Sequence, residues 1–442
     1  MTVKQENDQL LEFILNERFF KIWKEKDEDR KSIFPDTRLE LFLTTKCNQK
    51  CEYCYLISHK DKLYPSEYDK PEIILNNLKV ILDWMIEENF FIPAIDLFTG
   101  EIWEYKFGFD VLDILLDYAR KYKFTNEISI PSNCSFLRDK IKTAHIQRYI
   151  KQFDYCGISL KFSISVDGKV IEDHSRPYAD GSVKDDEFYE NMFLFAAHNN
   201  FFFHPMVAAC NIKYWKENFI WWETECEKYD MDPYLAVMML EVRNNDWTDE
   251  TIKEYNEFNS WLLERFLTKG TLEDFYDFLL LKFNRKYNYI GYMPFTLEKV
   301  DTFLGCTISH YLTIRVGDLA ICPCHRTCYN KYLYGKFITE NNKIVGLESN
   351  NTQMAIRILF SNNNLAQLGC DSCPFNPVCL KGCLGSQLEN TLDPFLPIDN
   401  VCKFFKAKYL NLIKEYENLK VFEYCEDVSP YSTTYLRAQW LL

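Results

Sequence analysis

The chain has 442 residues, which is enough for two or three domains with a well-buried core. Its net charge of −14 argues against nucleic acid as the main partner, because phosphate binding needs clustered Lys and Arg. No apolar run approaches the roughly 18 residues that cross a bilayer, and no apolar signal segment follows residues 1–8. The sequence therefore predicts a cytoplasmic protein without a nucleic-acid or membrane partner.

The predicted elements begin with residues 1–36, where apolar residues at near-helical spacing indicate an N-terminal helical extension. An alternating, strand-like run follows at Arg38–Thr44 and leads directly into the first cysteines. Helix-like and strand-like runs then alternate, which predicts a parallel βα architecture, doubly wound or barrel-like, with its active site at the carboxyl ends of the strands. The strand-like runs are Ala94–Phe98, Glu127–Ile130, Lys161–Val166, Phe203–Ala209 and Leu235–Val242, and the helix-like runs lie near 73–88, 108–123, 186–198 and 214–229.

The regular alternation fills residues 37–245, which we predict to be one α/β domain. The following stretch, 246–305, is mainly helical in pattern and polar on one face, which suggests a bridge. From 306 to 442 the alternation stops and cysteines dominate, which indicates a separate domain.

Seventeen cysteines are the main chemical signal in the sequence. A reducing compartment does not favour that many structural disulfides, so spaced cysteines there indicate metal ligands. Twelve of them fall into one group near the front of the chain and one near the back. The five that stand alone are interpreted as small core residues, namely Cys134, Cys156, Cys210, Cys226 and Cys425.

The front group, Cys47-Asn-Gln-Lys-Cys51-Glu-Tyr-Cys54, places three thiols in one loop just after a strand. Three thiolates can hold three irons of a 4Fe–4S cluster and leave the fourth iron open. An open iron can chelate the amine and carboxylate of S-adenosylmethionine (SAM), and an electron from the cluster would split a carbon–sulfur bond to release a 5′-deoxyadenosyl radical. The alternative is a zinc knuckle, but a closed zinc site needs four ligands, and the nearest further candidate, His59, lies in a different local context.

The spacing Cys-x3-Cys-x2-Cys after a first strand, with Tyr53 before the last cysteine and Tyr55 after it, resembles the radical SAM superfamily. The resemblance implies an α/β fold with a partial (β/α)6 TIM-type barrel, and SAM as a cofactor beside one radical SAM 4Fe–4S cluster. Phe98-Thr-Gly-Glu101 stands where that family has a Gly-Gly-Glu-Pro motif, whose backbone and Glu meet the SAM amino group. This sequence departs from the motif at Thr99 and Ile102.

Two further segments resemble SAM-contacting parts of the same family. Ile130-Pro-Ser-Asn-Cys134 resembles its Thr-Asn-Gly turn, and Phe162-Ser-Ile-Ser-Val-Asp-Gly168, followed by His-Ser-Arg-Pro, resembles its fourth-strand segment. The SAM-binding residues that the resemblance implies are Tyr53, Gly100, Glu101, Ser132, Asn133, Ser165, Asp167 and Arg176.

The back group has the spacing Cys370-x2-Cys373-x5-Cys379-x3-Cys383 and is followed by Cys402. With Cys306 and Gly-x4-Cys322 upstream, it resembles the SPASM domain, a cysteine-rich C-terminal module of peptide-modifying radical SAM enzymes that binds auxiliary iron–sulfur clusters. A pair of zinc ribbons is the alternative, which the 2-5-3 spacing fits poorly.

The resemblance implies one or two auxiliary 4Fe–4S clusters. One would use Cys370, Cys373, Cys379 and Cys402, and the other would use Cys383, Cys306 and Cys322. The second set lacks the additional cysteine that complete family sites have before the Cys306 position. Cys324 or Cys328 would close that cluster, or an iron would stay open for a substrate thiolate. Cys324 could also be the true ligand in place of Cys322. His325, beside Cys324, is a candidate for proton transfer, although a satisfied loop histidine is an equal alternative.

The combined resemblance predicts a peptide-modifying oxidoreductase that forms a carbon–carbon, thioether or similar cross-link in a ribosomally made peptide. Its expected partners are the peptide, an electron donor of the flavodoxin or ferredoxin type, and a separate leader-binding protein, because 36 residues before the first strand are too few for a leader-binding module. The alternatives are a sulfatase-type or quinone-cofactor-type maturase and, in a different class, a non-enzymatic electron-transfer or scaffold protein.

Overall fold

The computed structural model describes residues 38–98, 100–104, 107–269, 311–353, 356, 370, 373, 375, 379, 382–394 and 396–418. The predicted helical extension over 1–36 lies outside the described residues, as do Thr99, Cys306, Cys425 and the predicted bridge beyond 269. None of the described helices combines the length and the apolar character needed to span a membrane.

The chain divides into two compact units, each of which gathers stretches that are distant in the sequence. The first unit takes the described residues of 1–166, 176–203 and 307–363. The second takes the described residues of 167–175, 204–306 and 364–442. The domain bounds at 36, 245 and 305 stay predictions.

Eleven strands are present in the described part of the chain. In chain order they are β1 (Arg38–Phe42), β2 (Ala94–Asp96), β3 (Glu127–Ser132), β4 (Ser159–Ile164), β5 (Phe202–Phe203), β6 (Met206–Val207), β7 (Leu240–Glu241), β8 (Tyr311–Arg315), β9 (Ala320–Cys322), β10 (Gly335–Glu340) and β11 (Lys343–Glu348). Nine of these form one sheet in the first unit, in the order β11-β10-β9-β8-β1-β2-β3-β4-β5.

The centre of this sheet is parallel and its far edge is antiparallel. β1 pairs in parallel with β2 and β8, and β2 to β5 continue the parallel order. β8 to β11 pair antiparallel. Leu39, Leu41 and Phe42 of β1 have no solvent exposure, as expected for a parallel strand that is covered on both faces. The predicted α/β class and the parallel order of the strands β1 to β5 are confirmed, and the partial barrel stays a prediction.

Helices follow the parallel strands, as a βα architecture requires. In chain order they are α1 (Tyr55–Leu63), α2 (Pro71–Glu87), α3 (Gly108–Ala119), α4 (Lys140–Tyr155), α5 (Glu172–Ser175), α6 (Asp186–Asn199), α7 (Trp215–Lys228), α8 (Pro233–Ala236), α9 (Asp249–Lys269), α10 (Leu384–Thr391) and α11 (Asp399–Asn418). Residues at the N-terminus determine where several of these helices begin. Pro71 stands at the first turn of α2, where its missing N–H costs nothing, and Asp139 caps α4 by accepting from the backbone of Ile141 and Lys142.

The second unit contains a separate parallel pair, β6 and β7, and the two long helices α9 and α11. Phe404 of α11 stacks on Trp247 with ring centroids 4.3 Å apart, and it meets Tyr255 of α9 edge-on. Deeper in this unit, Lys408 Nζ lies 2.5 Å from Glu241 Oε1, and both side chains are almost fully buried. The Tyr255 hydroxyl donates to the same carboxylate oxygen at 2.6 Å, so one buried ion pair links β7, α9 and α11.

The lone cysteines divide between core and surface. Cys134 and Cys226 are fully buried, which confirms their interpretation as core residues. Cys156 is only half-buried, because it directly follows the last residue of α4, where the chain turns away. For Cys210 the prediction is wrong: it is exposed in the turn that precedes the short helical turn Ile212–Tyr214.

Candidate functional site

The front cysteine loop lies in the first unit between the end of β1 and the start of α1, at the carboxyl edge of the parallel strands. Its first residues are held by a buried carboxylate, because Asp69 accepts from the hydroxyls of Thr44 at 2.6 Å and Thr45 at 3.1 Å. A polar loop placed there lies at the edge where α/β folds bind their ligands.

The three thiols of this loop lie within electrostatic range of one another. Cys47 is exposed, Cys51 is buried and Cys54 is half-buried. Partial loss of hydration around its sulfur raises the pKa of Cys47, and the charges of Glu101, Cys51 and Cys54 raise it further. The backbone N–H of Gln49 donates to the sulfur of Cys47 at 3.4 Å, a contact that favours a thiolate or a metal-bound sulfur.

Gly100 and Glu101 lie directly against the start of the cysteine loop. The backbone N–H of Gly100 donates to Thr44 O at 2.9 Å, and that of Glu101 donates to Lys46 O at 2.8 Å. A Cβ on Gly100 would fall 2.1 Å from Lys46 O, so only glycine allows this approach of the two backbones.

The Glu101 carboxylate is buried at the ends of β2 and β3, with 1% of the residue exposed. It accepts from the Ser132 hydroxyl at 3.1 Å and from the Asn133 backbone N–H at 2.7 Å. The Asn133 side chain in turn donates to Asn48 Oδ1 of the cysteine loop at 2.7 Å. The structure therefore brings Gly100, Glu101, Ser132 and Asn133 together at the cysteine loop.

The predicted residues Ser165 and Asp167 differ in their surroundings. Ser165, in the first unit, donates its backbone N–H to Ser132 O at 2.8 Å. Asp167 is fully buried in the second unit, where its carboxylate accepts from the Ser175 hydroxyl at 2.5 Å and from the Met206 backbone N–H at 2.8 Å. Both of its carboxylate oxygens thus hold neighbouring chain segments in place.

Residues after Arg176 pair with the cysteine loop within the first unit. Lys50 donates its backbone N–H to Pro177 O at 2.9 Å, and Ala179 donates to Asn48 O at 2.8 Å. Arg176 itself points Nη1 toward Cys51 Sγ at 4.0 Å. Its guanidinium lies 5.3 Å from the centre of the Tyr53 ring, which brings two predicted SAM-contacting residues together.

His325 lies beside Glu40 of β1. Its Nδ1 is 3.1 Å from both Glu40 carboxylate oxygens, and its backbone N–H donates to Oε2 at 3.2 Å. Burial raises the pKa of Glu40, but the charge and hydrogen bonds of His325 outweigh it and leave the pKa below its usual value. The imidazole also stacks on Phe98, with ring centroids 3.6 Å apart. Glu40 and Phe98 thus hold this histidine in one orientation.

Three cysteines of the back group lie in the core of the first unit. Cys322 and Cys328 are fully buried, and Cys324 is 7% exposed. Burial is the main reason that the pKa of Cys328 lies well above its ordinary value, and a hydrogen bond with Cys322 raises it further. The buried Arg315 donates to Cys328 O at 2.8 Å and to Leu63 O at 2.7 Å, which ties this segment to α1.

The other described cysteines of the back group are in the second unit. Burial raises the pKa of Cys402, and the charges of Cys370 and Cys373 act in the same direction. Cys373 donates its backbone N–H to Cys370 O at 3.0 Å, and both cysteines lie within electrostatic range of Cys402. Cys379 and Cys383 are half-buried, as these three are, and Cys306 lies outside the described residues.

Within the described part of the chain, no three His, Cys, Asp or Glu side chains are arranged to hold a single metal ion. The thiolates of a 4Fe–4S cluster bind different irons, and the front loop fits such a group by its own chemistry. It offers three thiols, a glycine that permits close backbone approach, and the buried Gln49 Nε2, which has no hydrogen-bond partner among the described residues.

Sequence reasoning did not identify Glu40 or Arg326 as parts of this site. Glu40 carried a weak signal, since a charged residue in the middle of a strand-like run needs a partner. Arg326 belongs to the Pro-Cys-His-Arg string, but only the fold shows that its guanidinium lies 4.6 Å from the centre of the Tyr55 ring.

No protein-family model matches the sequence. An uncharacterized protein of Methanocaldococcus jannaschii is 27% identical to this chain over 184 residues. That match covers 40% of this chain, and the chain spans little more than half, 56%, of that curated relative.

The fold is shared with solved structures of another protein. "Native anSMEcpe with bound AdoMet" superposes with a TM-score of 0.53 at 14% identity, covering 86% of this chain and 99% of that one. A histidine-tagged form of anSMEcpe with bound AdoMet superposes with a TM-score of 0.52 at 15% identity, covering 89% of this chain and 96% of that one. The native form with AdoMet and the Kp18Cys peptide superposes with a TM-score of 0.53 at 15% identity, covering 86% of this chain and 99% of that one. At these identities the likeness concerns the fold.

Proposed function

We propose that this chain, which has the fold of radical SAM enzymes of the anSME type, reductively cleaves SAM to begin radical chemistry. The observation that carries the proposal is the contact between two predicted motifs. Gly100 and Glu101 are hydrogen-bonded to the backbone of the loop that presents Cys47, Cys51 and Cys54. A buried carboxylate beside three clustered thiols suits a ligand with an amino group that must also reach an iron.

The residues of the first unit take separate roles in this proposal. The three thiols would hold a 4Fe–4S cluster, which when bound supplies the electron that splits a carbon–sulfur bond of SAM. Glu101 would accept from the amino group of SAM, and Ser132 and Asn133 hold that carboxylate in place. Tyr53, Ser165 and Arg176 are proposed as further SAM contacts, and the role of Asp167 stays a prediction from the sequence.

The back cysteines are proposed as ligands of auxiliary clusters in a SPASM-type arrangement. The proximity of Cys370, Cys373 and Cys402 supports a set that Cys379 completes. Within the first unit, the nearness of Cys322 and Cys324 to Cys328 supports Cys324 or Cys328 as an additional ligand beside Cys322.

The proposed substrate is a peptide, and the proposed product is a cross-link within it. One of the structures that share this fold holds AdoMet together with a peptide, which supports a peptide as the substrate class. His325 is proposed as a proton-transfer residue, since Glu40 holds its Nδ1 and Phe98 fixes its plane. An electron donor of the flavodoxin or ferredoxin type would reduce the cluster, and a separate protein would bind the leader peptide.

SAM cleavage tests the proposal. We expect the anaerobically purified, cluster-reconstituted protein to release 5′-deoxyadenosine when dithionite and SAM are added, as measured by liquid chromatography. In the Cys47→Ala, Cys51→Ala, Cys54→Ala triple variant the product should fall to the level of a protein-free control, because the cluster has lost its ligands. Cys156→Ala, which removes a half-buried thiol outside both groups, should keep wild-type activity.

Equal product from the triple variant and the wild type would contradict the proposal. Peptide modification is tested separately, by tandem mass spectrometry of precursor peptides co-expressed with the enzyme. A new linkage between two side chains supports a cross-link, whereas oxidation of one Ser or Cys without a linkage would instead support a sulfatase-type maturase.

A further inference from the structure

An arginine lies against each of the two tyrosines that flank Cys54. The Arg176 guanidinium lies 5.3 Å from the centre of the Tyr53 ring, and the Arg326 guanidinium lies 4.6 Å from the centre of the Tyr55 ring. Both distances are within the range of a cation–π contact. Each of the two tyrosines next to Cys54 in the sequence therefore has a cation against its ring.

Both cations lie at the Cys51 and Cys54 end of this loop. Arg176 Nη1 lies 4.0 Å from Cys51 Sγ. Arg326 reaches the same end of the loop, because its guanidinium lies over the ring of Tyr55, the residue directly after Cys54. The two guanidiniums thus favour negative charge at the Cys51 and Cys54 end of the loop.

The surroundings keep these charges effective and in place. Arg176 is only 8% exposed, so water screens it little. Arg326 follows His325, whose backbone and ring are both bound to Glu40 of β1. Arg326 thereby reaches the loop from a segment that the sheet fixes.

We propose that Arg176 and Arg326 raise the reduction potential of the cluster held by Cys47, Cys51 and Cys54. The inference rests on the proposed function, since it requires that this cluster exists. Reduction adds one negative charge to the cluster, and nearby cations stabilise the more negative state. The two arginines thus make the cluster easier to reduce, and this role is separate from the proposed contact of Arg176 with SAM.

The test is a redox titration followed by electron paramagnetic resonance. The cluster of the front loop is identified as the signal that is lost in the triple cysteine variant. We expect Arg176→Gln and Arg326→Gln each to lower the reduced-to-oxidised ratio of this cluster about tenfold at a fixed potential, and the double variant to lower it further. Arg120→Gln, which removes an exposed arginine paired with Asp117, should leave the ratio unchanged.

Arg176→Lys separates charge from packing, because it keeps the cation and loses the planar group. It should retain most of the wild-type ratio, which a purely structural role would not predict. Each arginine is replaced in a separate variant. If one of these variants misfolds or loses iron, the other still tests whether its arginine raises the reduction potential.

An unchanged ratio in the variants, with the front signal still responding to SAM, would overturn this inference and leave the proposed function standing. Absence of any signal that depends on the front cysteines in the wild type would overturn both.

Discussion

Replacing Gly100 with alanine is expected to destabilise the protein by about 3 kcal/mol and to lower SAM cleavage roughly 100-fold. The added Cβ would fall 2.1 Å from Lys46 O and 2.9 Å from the carbonyl carbon of Thr45. Both neighbours are backbone atoms, so the clash cannot be relieved by turning a side chain. The cysteine loop must move away from Glu101, and a displacement of about 1 Å is enough to misplace a bound ligand.

Urea unfolding followed by circular dichroism measures the first effect, and 5′-deoxyadenosine release per iron measures the second. Gly346→Ala is the matched control, because the nearest atom to its added Cβ is Ile338 Cδ1 at 3.9 Å. We expect the control to change stability by less than about 0.5 kcal/mol and to keep full activity. Wild-type stability and activity in Gly100→Ala would show that the two backbones are not packed as described.

Replacing Lys408 with methionine is expected to destabilise the second unit by about 3–5 kcal/mol. Glu241 would remain buried at the centre of this unit with its cation removed. Tyr255 cannot replace the cation, because a phenol is never positively charged. Burial, together with the charge of Glu241, holds its pKa well above the ordinary value, so it stays a neutral hydrogen-bond donor. The tyrosine would go on donating one hydrogen bond to a carboxylate that has lost its ion pair.

The double variant Lys408→Met, Glu241→Gln separates the lost charge from the lost packing. It removes both charges and leaves an amide oxygen to accept from Tyr255. We expect it to regain most of the lost stability in urea unfolding, since removing both members of a buried ion pair costs far less than removing one. Equal destabilisation of the single and double variants would indicate that Lys408 acts through packing alone.

The regular elements of the first unit were largely predictable, because their buried positions follow simple periods. The helix-like pattern near 73–88 corresponds to Pro71–Glu87, where Ile74, Leu78 and Ile81 are buried at helical spacing. The strand-like run at Lys161–Val166 was predicted nearly in place, and the structure has the strand at Ser159–Ile164.

The prediction of a single strand over Phe203–Ala209 is wrong. The structure has two short strands, Phe202–Phe203 and Met206–Val207, which belong to different sheets. Pro205 stands between them and has no N–H to donate to a ladder, so it ends one pairing before the other begins. An apolar run alone does not show this break.

The cysteine loop and its glycine–glutamate partner were predictable because each is encoded by consecutive residues. The contact of Glu40 with His325 was not, because it depends on the register between two strands that are far apart in sequence. Glu40 of β1 pairs with Thr313 of β8, and this register brings the segment after β9 to the cysteine loop. Periodicity does not determine which distant strands become neighbours.

Electron paramagnetic resonance of the dithionite-reduced protein, recorded before and after SAM is added, tests most directly whether SAM binds a cluster held by Cys47, Cys51 and Cys54. We expect a reduced 4Fe–4S signal that changes when SAM is added, and we expect that signal alone to be missing from the triple alanine variant. A fully reduced, iron-loaded wild type whose spectrum does not respond to SAM would contradict the proposed site and favour a protein that only holds clusters.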